Sequence, residues 1–79
     1  MNSEAQIQAL KHKIEALIGD EPDLFLVEIR IKPTNNIKIF IDGDRGVSID
    51  KLVRFNRSLY RQLEEEKMFP NDDFSLEVS

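Results

Sequence analysis

Apolar residues at Ile7, Leu10, Ile14, Leu17 and Ile18 recur at three- and four-residue intervals. At about 100° per residue they form one stripe, so the spacing predicts an amphipathic helix. Ser3 is placed to cap its start, with Gln6 completing a capping box. Gly19 is placed to end it, and Pro22 opposes continuation. From Leu24 to Lys32 the period changes to two. Phe25, Val27, Ile29 and Ile31 then share the inward face of a strand, opposite Glu28, Arg30 and Lys32. Pro33-Thr34-Asn35-Asn36 reads as a turn, because proline ends pairing and asparagine tolerates positive φ. Alternation resumes from Ile37 to Asp42, with Ile37, Ile39 and Ile41 inward, so the two runs predict an antiparallel hairpin.

The glycine-bracketed turn Gly43-Asp44-Arg45-Gly46 follows. Ser48 is placed to cap a second helix, and Asp50 in its first turn suits the helix dipole. Ile49, Leu52, Val53, Asn56, Leu59, Tyr60 and Leu63 lie on one side of that helix, with Arg54, Arg57 and Arg61 on the far side. Phe55 sits beside the apolar stripe rather than within it. Pro70 and Asn71 close the helical region, and Phe74 to Ser79 alternates again as a last strand. The order α-β-β-α-β predicts an α+β fold: a two-layer α/β sandwich, with a three-stranded mixed sheet and two helices on one face. The last strand should run parallel to the second; which strand it pairs with is left open by the pattern.

The chain has 79 residues, enough for one domain. A chain of this size buries only about 60% of its unfolded surface. It contains no cysteine, so no disulfide staples the core. No apolar run approaches the roughly 20 residues of a membrane-spanning helix, and Met1-Asn2-Ser3-Glu4 lacks the character of a signal peptide. The expected setting is the cytoplasm. Net charge is −4, from 11 basic and 15 acidic residues, which favours a basic partner over nucleic acid or an anionic membrane. The signs are uneven: Lys51, Arg54, Arg57 and Arg61 precede Glu64, Glu65, Glu66, Asp72 and Asp73.

Several patterns resemble chemical sites. Asp42, Asp44, Gly46, Ser48 and Asp50 alternate like the start of a calcium loop. The register fails, because the glycine comes one position early and Val53 stands where a bidentate glutamate belongs. Gly43-Asp44-Arg45-Gly46 matches the G-x-x-G clamp of KH domains, yet Asp42, Asp44 and Asp50 surround it and repel phosphate. The stripe Arg54, Arg57 and Arg61 is a candidate for phosphates or an acidic protein face. Equally, Asp50–Arg54 and Arg61–Glu65 have the i,i+4 spacing of an ordinary solvated helix. Leu24, Leu26 and Phe40 fall on the sheet face opposite the helices, which makes Leu26 and Phe40 candidates for interdomain packing. The alternative is edge packing in a small core. His12, the only histidine, falls on the polar side of the first helix, and no serine has a visible base. Nothing here argues for an enzyme, a metal or a cofactor.

Ile39-Phe40-Ile41-Asp42 followed by Gly46-Val47-Ser48-Ile49-Asp50, then Asn56-Arg57-Ser58-Leu59, then Leu76-Glu77-Val78-Ser79 stand in a recognisable order and spacing. The set resembles the N-terminal domain of the bacterial ribosome maturation factor family RimP, from about Phe25 to Ser79. The sequence departs from that pattern at Arg45, Lys51, Leu52 and Asn56. The resemblance implies a KH type II-like topology across residues 1–79 as a single N-terminal domain, with the family's C-terminal small barrel absent. It implies a non-enzymatic assembly factor for the small (30S) ribosomal subunit, acting as a monomer on a basic small-subunit ribosomal protein or the pre-ribosomal particle. On that reading Asp42, Asp44 and Asp50 steer the basic partner and Arg57 anchors the second helix. Arg54 and Arg61 form a secondary basic stripe. The alternative is an RNA-binding module that contacts ribosomal RNA through the Gly43–Gly46 turn and this stripe.

Overall fold

In the computed structural model, residues 3–19, 21–69 and 73–79 are described. The capping role of the Ser3 side chain, the Pro70-Asn71 stop and Asp72 lie outside the described residues. The elements are α1 (Ser3–Leu17), β1 (Leu24–Lys32), β2 (Asn36–Gly43), α2 (Ile49–Glu65) and β3 (Ser75–Val78). The α-β-β-α-β order and the mixed three-stranded sheet are those the periodicities predict. β2 is central: it pairs antiparallel with β1 and parallel with β3. The pairing left open by the sequence therefore falls on β2, and β3 becomes an edge. The inward face of β2 (Ile37, Ile39, Ile41) meets Leu10, Ile14 and Ile18 from α1 and Phe55, Leu59 and Leu63 from α2. No helix among the described residues is long and apolar enough to cross a membrane.

Two apolar faces differ from expectation. β1 slips register between Leu26 and Glu28, so Val27 is an extra residue in the ladder. One inserted residue exchanges the two faces of a strand on one side of the bulge. Hence Leu24 is buried and Leu26 packs on the core, together with Ile29 and Ile31. Phe25 and Val27, expected inward, are 48% and 57% exposed. Helix α2 is likewise turned: Phe55 is buried, while Ile49 and Val53 are 77% and 44% exposed. An aromatic ring removes more apolar area from water than either aliphatic side chain, which favours the rotation that buries Phe55.

Local chemistry fixes the helix ends. The Ser48 side chain accepts a hydrogen bond from the Lys51 N–H at 3.2 Å, the expected cap of α2. At the other end Lys67 adopts φ +52°. Its N–H donates to the Glu64 carbonyl, and the Met68 N–H reaches the Leu63 carbonyl. Those two bonds are the Schellman pattern, which normally places glycine where Lys67 stands. Gly19, by contrast, follows α1 without a left-handed φ, so the expected glycine cap is not formed there. Lys67→Gly should raise the unfolding free energy by about 1 kcal/mol by relieving the left-handed residue. Urea denaturation would check this, and Lys67→Ala, which keeps the Cβ, should give no such gain.

Candidate functional site

The corner between β2 and α2 is built by close backbone approach. A Cβ on Gly43 would lie 2.7 Å from Leu24 Cδ2 and 3.0–3.1 Å from the carbonyl oxygens of Gly46 and Asp23. The Gly46 N–H donates to the Gly43 carbonyl at 3.0 Å, and the Asp44 N–H donates to the Asp23 carbonyl at 3.1 Å. Gly46 has φ +78°, which glycine alone adopts without strain. Val47 packs on the core behind the turn. Both glycines thus have reasons within the turn itself, without a phosphate.

Asp42, Asp44 and Asp50 are all exposed around this corner. Asp42 Oδ1 accepts the Gly43 N–H at 2.7 Å, which orients its carboxylate. Among the described residues none of the three forms an ion pair; nearby Lys51 is bound to Glu21 instead. The result is a corner of net negative charge, three carboxylates against the single cation Arg45 of the turn.

Arg54, Arg57 and Arg61 are exposed along α2. The spaced pairs Asp50–Arg54 and Arg61–Glu65 do not form; the ion pairs among the described residues are Lys13–Glu66, Arg30–Glu28, Lys38–Glu77 and Lys51–Glu21. Arg57 stands seven residues beyond Asp50, about 10 Å along the helix. Arg57 and Arg61 are consequently a second surface rather than part of the acidic corner, while Arg54 stands one turn beyond Asp50. Leu26 and Phe40 do not share a face, contrary to expectation, because the β1 bulge turns Leu26 onto the core. Phe40 lies opposite Glu28 on the other side. The outer sheet face also carries Lys38, whose hydrogen bond and charge hold the Glu77 carboxyl below the usual carboxylate range.

One feature escaped the sequence entirely. A groove of about 320 Å³ runs between α2 and β3, walled by Ile49, Leu52, Val53, Asn56 and Arg57, floored by Leu76 and Val78, and also lined by Glu77, whose carboxylate is paired with Lys38. Asn56 Oδ1 accepts the Val78 N–H at 3.1 Å across it. The apolar stripe of α2 assigns Ile49 and Val53 to the core, and the structure leaves both exposed.

Comparison with known proteins gives a consistent result. Residues 13–79 match the model of the RimP N-terminal domain. The chain is 38% identical over 74 residues to the ribosome maturation factor RimP of Christiangramia forsetii, covering 89% of this chain and 46% of that protein. It is 33% identical over 72 residues to the protein of that name from Flavobacterium psychrophilum (91% and 44% covered). The Cytophaga hutchinsonii protein is 33% identical over 73 residues (89% and 44%). The chain spans about half the length of the curated relatives it matches. No solved structure matches it.

Proposed function

This chain belongs to the RimP N-terminal domain family, and from that premise we propose that it takes part in maturation of the small ribosomal subunit by binding a basic ribosomal protein on its acidic corner. The observation carrying this reading is the set of exposed carboxylates of Asp42, Asp44 and Asp50 around the β2–α2 corner, none in an ion pair among the described residues. The net charge of −4 acts in the same sense at longer range. In this reading the domain is a cytoplasmic monomer that binds rather than catalyses. It contributes positioning and charge, and the chemistry of assembly belongs to its partners.

Complementary charge acts mainly on the rate of encounter. Changing Asp42, Asp44 and Asp50 together to asparagine should slow association with basic small-subunit ribosomal proteins about tenfold at low salt. The variant's on-rate should also depend less on ionic strength. Surface plasmon resonance against individually purified small-subunit proteins measures both. An unchanged on-rate for every protein that binds would remove the acidic corner from the interface.

A further inference from the structure

Among the described residues β3 forms an edge of the sheet, and its hydrogen bonding is directional. Ser75 N–H donates to the Asn35 carbonyl, Ser79 N–H donates to Ile39, and the Ser79 carbonyl accepts from Ile41 N–H. These bonds turn the odd-numbered residues toward β2. By the alternation of a parallel ladder, Leu76 and Val78 direct their N–H and C=O groups to the open side. Asn56 meets one of them, the Val78 N–H. An open edge of this kind is a template for another strand.

The wall of the groove has an ordered chemistry. Ile49, Val53 and Arg57 of the wall, and Arg61 one turn beyond its lining, lie at i,i+4 steps and make one ridge along α2. The ridge is apolar at its first two positions and cationic at its last two. Ile49 and Val53 are exposed, and neither arginine has an ion pair among the described residues. Over twelve residues the ridge extends about 18 Å, which corresponds to five or six residues of extended chain.

We propose that the groove between α2 and β3 binds an extended peptide segment, apolar at one end and acidic at the other, added as a fourth strand along β3. Its main chain pairs with the outward N–H and C=O of Leu76 and the C=O of Val78, since the Val78 N–H is held by Asn56; apolar side chains cover Ile49 and Val53, and carboxylates meet Arg57 and Arg61. Main-chain pairing supplies affinity in such complexes, and the side-chain contacts supply selectivity. A peptide fits better than RNA, because no aromatic side chain lines the groove for base stacking. A second copy fits less well, because its ridge of Ile49, Val53, Arg57 and Arg61 carries no carboxylate to meet these arginines. The required ligand has the opposite charge to the partner of the acidic corner, so this proposal does not depend on that reading.

The test is selection of a phage-displayed random octapeptide library on the immobilised 79-residue chain, followed by amide spectra with the selected peptide. Enrichment of peptides pairing apolar with Asp or Glu residues, and shifts at Leu76, Val78, Ile49 and Val53, are expected. Combined Arg57→Glu and Arg61→Glu should weaken the selected peptide at least tenfold and turn the selection toward Lys and Arg. Amide spectra without peptide check that this variant remains folded. No enrichment, enrichment of basic peptides, or shifts on another face would overturn the proposal. So would tighter, arginine-dependent binding of oligouridine than of any peptide, or a concentration-dependent dimer through β3 in sedimentation.

Discussion

Phe69→Ala is expected to remove a large share of the chain's folding stability. Phe69 is fully buried although it belongs to no helix or strand. Its ring lies 5.4 Å from that of Phe74, which in turn lies 4.7 Å from Tyr60 of α2. The three rings join the segment after α2 to the start of β3. Truncating a buried phenylalanine costs about 3–5 kcal/mol through lost transfer energy and the cavity left behind. A domain of this length holds roughly 4–12 kcal/mol in total, so the loss is a large share of it. Phe25→Ala, which removes a half-exposed ring, should cost less than about 1 kcal/mol. Urea denaturation followed by circular dichroism gives both values, and a loss below 1 kcal/mol for Phe69→Ala would refute the role assigned to it.

Phe69 also shows where sequence reasoning reaches its limit. Periodicity located the helices and strands because each buries one face, and a one-sided element leaves its period in the chain. Around Leu24-Phe25-Leu26-Val27 every residue is apolar. Such a run does not state which alternate residues point inward, and the bulge at Val27 leaves no mark in composition. In α2, Ile49, Val53 and Phe55 compete for the same core, and only packing against the sheet decides among them. A residue such as Phe69 has no period at all. The acidic corner was legible because turn glycines and a capping serine specify their own neighbourhood. The groove was not, since it requires β3 to pair with β2 and leave its far edge open. The helix-surface arginines were legible as exposed, but their spacing wrongly suggested partners in Asp50 and Glu65. Exposed i,i+4 pairs contribute only a few tenths of a kcal/mol, too little to determine rotamers.

Gly43→Ala should cost about 2–3 kcal/mol, and Gly46→Ala only about 1 kcal/mol, although they bracket the same turn. At Gly46 the added methyl meets open space, so the cost is that of placing a Cβ at positive φ. At Gly43 the methyl collides with Leu24 Cδ2 at 2.7 Å. Leu24 is itself buried, which limits its escape. The carbonyl oxygens of Gly46 and Asp23 crowd the same point, with less freedom to move. The Asp23 carbonyl accepts the Asp44 N–H, while the Gly43 carbonyl accepts the Gly46 N–H. Any relief therefore strains a bond that shapes the acidic corner. If the acidic corner binds the basic partner proposed for it, Gly43→Ala should also reduce that on-rate, measured where the variant remains folded. Gly46→Asn, which tolerates the left-handed region, should preserve that rate. Equal destabilisation by the two alanine variants would mean that backbone conformation alone sets the turn, and that close packing against Leu24 does not hold the carboxylates in place.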